Sequence, residues 1–192
     1  FKPSASVVSE YMDLVCRCFE HPSKKITEML MGVWYYVLER LPGYIGSPVV
    51  GNRIAWLASM LYEKVLRRGS PEDPETSSPF TQYGIMDFED HDDFLHSLGI
   101  VRSRIITAIK AVGRAYPEVM INCLGQNMMK ILQASGKATN AFRDDNKDGA
   151  MHATLFSKEY VQMEGIMVYL ETIMGSLKPG MTMLNGLRNG TV

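Results

Sequence analysis

Arg53, Lys64, Arg67 and Arg68 share a stretch whose apolar residues, Val50, Ile54, Leu57, Leu61 and Val65, repeat at helical spacing. The four cations lie opposite that stripe or at its edge. Further along, Asn122, Gln126, Lys130 and Gln133 recur at near-helical spacing, with Lys137 just beyond. Lysine and arginine on one face can pair with phosphates and release counterions. Asparagine and glutamine can donate to phosphate or sugar oxygens without reading a base sequence. A third basic group is Arg102, Arg104, Lys110 and Arg114. Surface helices need a solvated polar face whatever they do, so plain solvation competes with every one of these readings.

Charge is segregated along the chain. The formal net charge is only −1, which argues against a globally basic coat for nucleic acid but leaves local patches open. Residues 69–101 hold eight acids and no lysine or arginine, whereas residues 102–147 hold eight basic residues. Glu72, Asp73 and Glu75 are candidate contacts for a basic partner or for the chain itself, against solubility and helix capping.

Other motifs carry less. Asp144, Asn146, Asp148 and Gly149 match the opening of a calcium loop, but Leu155 stands where a bidentate glutamate is required. His91 and His96 lie among acids, five residues apart, a poor fit to one helical face. No metal or cofactor is expected. Cys16, Cys18 and Cys123 lack metal-knuckle spacing and read as free thiols in a reducing compartment, with Cys16 and Cys18 as packing residues. The 14 methionines read as adaptable packing between helices. No glycine-rich phosphate loop and no nucleophile elbow occurs, so an enzyme is not expected.

The elements that must position these groups read as helices throughout. Hydrophobic residues make up 46% and charged residues 21%, a globular rather than disordered balance. No apolar run reaches the ~18 residues of a bilayer-spanning helix. Six helices are expected, at about 7–19, 22–41, 48–68, 88–115, 118–135 and 157–177. The inward stripe of the fifth is Ile121, Leu124, Met128, Ile131 and Leu132. That of the sixth is Tyr160, Met163, Met167, Leu170, Met174 and Leu177. Residues 69–84, with three prolines, and 136–154 read as exposed loops.

The helices pair as 22–68 and 88–135, flanked by partial units at 1–20 and 155–192. Without the insertions each unit is about the size of a HEAT-type repeat. The expected fold is therefore all-α, a HEAT-repeat α-solenoid, with a closed six-helix bundle as the runner-up. Unpaired helices at both ends would expose apolar faces that solenoids cap. With Phe1 in place of a starting Met and no charged-then-apolar leader, this makes the chain an expected interior segment of something longer.

Three blocks carry a resemblance: HPSKKITEMLMGVWYYVL at residues 21–38, MDFEDHDDF at 86–94 followed by Arg102, and FSKEYVQMEGIMVYLE at 156–171. In this order they resemble the exportins, karyopherins of the importin-beta superfamily, and most of all the exportin-5 branch. The resemblance runs from about Tyr11 to Glu171. It implies nuclear export of double-stranded or hairpin RNA with a short 3′ overhang, such as precursor microRNA, together with Ran in its GTP form. It also implies shuttling between nucleus and cytoplasm and nucleoporin contacts by the whole receptor, with no membrane. It would place Arg53, Lys64, Arg67, Arg68, Asn122, Gln126, Lys130 and Lys137 on a concave wall facing RNA. Arg102, Lys110 and Arg114 would be secondary candidates, and Glu72, Asp73 and Glu75 would face Ran. A-form RNA presents phosphates and 2′-hydroxyls rather than readable major-groove edges, which suits such a surface. The alternative is a HEAT-repeat scaffold or transport receptor with protein cargo only.

Overall fold

The structure, a computed structural model, describes residues 4–40, 46–145 and 158–176, with side chains left aside for residues 5, 40, 134–145 and 158–159. Eight α-helices make up the described chain: α1 Ala5–Phe19, α2 Lys24–Tyr35, α3 Pro48–Gly51, α4 Ile54–Val65, α5 Pro79–Asp87, α6 His91–Ala115, α7 Pro117–Asp145 and α8 Lys158–Ser176. A π-helical turn, Tyr36–Arg40, continues α2. Among the described residues there is no strand, so the all-α expectation holds.

Local chemistry sets the helix starts. Ser4, Ser23 and Asp90 cap α1, α2 and α6, each accepting from a backbone N–H three residues on. Pro48, Pro79 and Pro117 each open a helix, where a missing N–H costs nothing. The expected third helix is divided into α3 and α4, and it stops at Val65 rather than Arg68. Arg67 and Arg68 therefore lie beyond the last turn. The expected loop 69–84 gives way to α5 from Pro79. The expected fifth helix runs on to Asp145 instead of ending near residue 135. The calcium-like string otherwise lies outside the described residues, as does Leu155.

Long α6 is the axis of the packing, touching α2, α4, α7 and α8. Its expected stripe, from Phe94 through Val101 and Ile105 to Val112, is buried. Polar ties show the directions. Glu28 meets Ser97 and Arg104, and Glu39 meets Arg114, so α2 runs parallel to α6. Glu164 meets Arg102, and Ser176 lies against Gly113, so α8 is parallel to α6 on its other flank. Lys24 reaches Lys64 and Leu66, whereas Trp34 lies beside Trp56, so α2 and α4 are antiparallel. Asp13 meets Arg53 and Glu20 meets Trp56, so α1 follows the direction of α4. In addition α8 reaches across to α4, where the Tyr169 hydroxyl donates to the Ala58 carbonyl at 3.0 Å.

Two expected inward faces are buried only in part: Leu124 and Ile131 on α7 are inward as expected and Leu170 on α8 is partly buried against the core, while Leu177 lies outside the described residues. On α7 the buried residues are Met120, Cys123, Leu124, Asn127 and Ile131, while Ile121, Met128 and Leu132 are exposed. On α8 the buried set includes Val161, Ile166, Tyr169, Thr172 and Ile173, while Tyr160, Met163, Met167 and Met174 are exposed. Each helix carries two apolar stripes, and sequence spacing cannot rank them. Cys18 is exposed, against the packing role expected for it; Cys16 is partly buried and Cys123 buried.

Segment 66–78 is pinned by glycines. Gly69 adopts φ +88°, the left-handed region that side chains disfavour. A Cβ added at Gly84 would lie 2.0 Å from the Gly69 carbonyl oxygen, which is rigid backbone. At Gly165 an added Cβ would meet the Leu66 Cδ2 at 2.2 Å, the far end of a side chain that can turn. Gly84→Ala is therefore expected to cost about 1–3 kcal/mol or more by overpacking, and Gly165→Ala less. Thermal unfolding of the two variants checks the ranking, and equal midpoints would show that the segment is not held at Gly84.

Candidate nucleic-acid interface

The cations expected on α3 and α4 divide into clamps and surface groups. The Arg53 guanidinium is mostly buried. Its Nε donates to Asp13 Oδ1 at 2.9 Å, and its other nitrogens reach Ser9 and the Val49 carbonyl. It ties α1 to α3. Lys64, expected on an outward face, is only 3% exposed. Its amine donates to the His21 carbonyl at 2.6 Å and lies over the Phe19 ring. Burial lowers its pKa to about 8. Lys64 is helical as expected, but its side chain points into the α2 junction because α4 is enclosed on nearly every side.

Lys24 was not singled out by any sequence signal, yet it completes that junction. Its amine donates to the carbonyls of Lys64, 3.0 Å away, and Leu66, 2.9 Å away, closing the end of α4. Burial, with the nearby Lys64 charge second, lowers its pKa to about 7. A neutral amine has two N–H donors, enough for both carbonyls. An unfolded lysine titrates near 10.5. Above about pH 7 the unfolded chain therefore holds a proton that the folded chain lacks, so stability rises with pH. Lys64 adds to the rise from about pH 8. Cys16, which burial pushes up to about 11 from 9.0, opposes it above pH 9. Urea unfolding is expected to show stability climbing between about pH 7 and 9, with a smaller slope in Lys24→Met. A flat profile in the unmodified protein would mean that Lys24 stays charged.

Arg67 and Arg68 line a cleft of about 320 Å³ together with Asp73, Glu75 and Phe80. The Arg68 guanidinium pairs with Glu63 at 3.0 Å and lies over the Phe80 ring, while that of Arg67 lies over Tyr160. The structure thus brings two of the expected RNA contacts beside two of the expected Ran contacts. Glu72 and Glu75 are exposed and Asp73 is half-buried. Turns within the segment use the Asp73 carboxylate, which accepts from the Glu75 N–H, and the Ser70 hydroxyl, which accepts from that of Glu72.

On α6, Arg102 is a junction residue. Its Nε donates to the Val65 carbonyl at 2.9 Å, and its guanidinium pairs with Glu164 at 2.8 Å. Burial pushes the Glu164 carboxyl up, but the hydrogen bond and charge of Arg102 outweigh that and hold it below the ordinary range. Arg104 donates to the Glu28 carbonyl at 2.8 Å. Lys110 is exposed, and exposed Arg114 pairs with Glu39 at 3.3 Å. These two face solvent; Arg102 does not.

The α7 stripe comes together as expected. Asn122, Gln126, Lys130 and Gln133 are all exposed and line one open depression of about 620 Å³. Ile121, Gly125 and Met129 complete its floor, and among the described residues no acid lines it. Residues four and three apart share a helix face, which is why spacing alone found the polar set. Spacing does not reveal the apolar floor, because Ile121 fits a core stripe equally well. Chemically the depression offers one cation and several amide donors beside apolar contact area. The Lys137 side chain lies outside those described.

Among the described residues, no three His, Cys, Asp or Glu side chains converge as metal ligands, and no helix is long and apolar enough to cross a membrane. No protein-family model matches the chain, and the curated proteins contain no significant match to it.

Proposed function

We propose that this chain is a HEAT-repeat segment of an exportin-5-like nuclear export receptor, which carries hairpin RNA out of the nucleus together with Ran-GTP. The observation that carries the RNA reading is the depression on α7, where Lys130 stands among Asn122, Gln126 and Gln133 with no acid among the described lining residues. One phosphate-pairing cation flanked by amide donors suits a backbone contact that ignores sequence. The solenoid reading is supported by the helix directions: α2, α6 and α8 run parallel, with α4 antiparallel to α2 beneath them. The second, exposed apolar stripe of α8, with Met163, Met167 and Met174, supports a segment with a further neighbour on that side. The reach of α8 onto α4 is the feature that a closed bundle would share.

A second reading, a scaffold for protein cargo alone, is favoured by one observation. Met128, Met129 and Leu132 are exposed on the same helix, and methionine-rich faces suit adaptable protein contacts. Filter binding of a hairpin RNA to the whole receptor, with and without Ran-GTP, separates the two. Export predicts reciprocal tightening, because each ligand would favour the same superhelical pitch. Unchanged hairpin affinity with Ran-GTP would leave the protein-cargo reading. In the same assay Lys130→Ala is expected to weaken hairpins of different sequence alike and to flatten the salt dependence by about one unit. Its effect on stability should stay within about 0.5 kcal/mol. An unchanged salt slope would place Lys130 off the RNA path.

A further inference from the structure

An apolar groove of about 520 Å³ lies between α1 and α2. Val8 and Tyr11 form one wall, Gly32, Val33 and Tyr36 the other, and Val49 closes one end. Among the described residues none of its lining side chains is charged. Tyr11 and Tyr36 are more than half exposed, and a Cβ added at Gly32 would meet nothing within 4 Å. The groove is open, apolar and wide enough for close approach of a backbone.

Its place in the fold indicates what covers it. Twice in this structure one helix lies parallel on the next: α2 on α6, and α6 beside α8. Each time the partner also meets the helix that follows it in the chain, as α2 meets antiparallel α4 and α6 meets α7. The groove between α1 and α2 stands to α2 as the groove between α4 and α6 stands to α6. The latter is filled by α2. The former lacks its helix among the described residues.

We propose that the α1–α2 groove seats an amphipathic helix running parallel to α2, supplied by polypeptide that precedes residue 1 in the parent receptor. This rests on the stacked-repeat reading above, though not on RNA or Ran. The lining positions 29, 32, 33, 36 and 37 form one stripe along α2 and the π-helical turn that continues it. That stripe spans about 12 Å at about 1.5 Å per residue, so roughly three turns of partner suffice. With no charge among the described lining residues, the partner's contact stripe must be aliphatic or aromatic.

The test compares the 192-residue chain with one extended upstream through its reading frame. In the extended chain, hydrogen exchange of amides 29–37 is expected to slow at least about tenfold. Gly32→Glu should lower the melting temperature of the extended chain yet leave that of the 192-residue chain unchanged or higher, since leaving glycine favours the helix. Met29→Glu, at a side chain 76% exposed, repeats the comparison at a second position. Three outcomes overturn the proposal: a reading frame that starts at residue 1, exchange that the extension leaves unchanged, or protection in the 192-residue chain that grows with concentration. The last would make a second copy the occupant. A failed hairpin assay would sink the export reading and leave this groove untouched, so the two failures are distinguishable.

Discussion

Trp34→Ala is expected to lower folding stability by about 3–5 kcal/mol, the largest loss of any single side chain considered. Trp34 is fully buried. Its ring lies 6.5 Å from that of Phe19 and 6.2 Å from that of Trp56, so it joins α1, α2 and α4. The Lys64 amine over Phe19 and the Trp56 Nε1, which donates to Glu20 at 3.0 Å, border the same cluster. Removing the indole would open a cavity where three helices meet, and backbones held on three sides cannot collapse into it. Against a typical stability of about 5–15 kcal/mol, much of the chain would unfold at moderate temperature. Urea unfolding measures the loss. A value below about 1 kcal/mol would show that the three helices do not depend on this contact.

Arg102→Ala is expected to cost about 2–4 kcal/mol, chiefly by stranding Glu164. The two side chains are 19% and 26% exposed, so water screens them only in part. The same substitution removes the donor from the Val65 carbonyl at the end of α4. A double-mutant cycle with Glu164→Gln separates these effects. The double variant should be more stable than the sum of the single losses implies, because no unpaired carboxylate remains. Strict additivity would mean that the ion pair contributes nothing. In either case, weaker RNA binding by Arg102→Ala would report damage to the fold before it reported a lost phosphate contact. Lys130→Ala is free of that ambiguity.

Helix type and order were legible because burial of one face imposes a 3.6-residue period on the sequence, and serine, aspartate and proline mark helix starts. The stripe of α6 could be assigned to the core directly, since its other face is polar. Facing was only partly legible for α7 and α8. Each has apolar residues on two faces, and only the neighbours present decide which face is covered. Short α5 was hidden by the prolines and serines around it, one of which is its own first residue.

The candidate site divides along the same line. By itself the sequence determined that the chain is helical, that its charge is segregated, and that Asn122, Gln126, Lys130 and Gln133 share one face, because that follows from helical geometry alone. Only the tertiary structure decided that Lys64 is buried, that Arg53 and Arg102 clamp helices together, and that Arg67 and Arg68 sit beside Asp73 and Glu75. The reason is physical. A long basic side chain can run out to water or back to a carbonyl or carboxylate on another helix. Which it does depends on what the fold places within reach, as the α4 carbonyls lie within reach of Lys24.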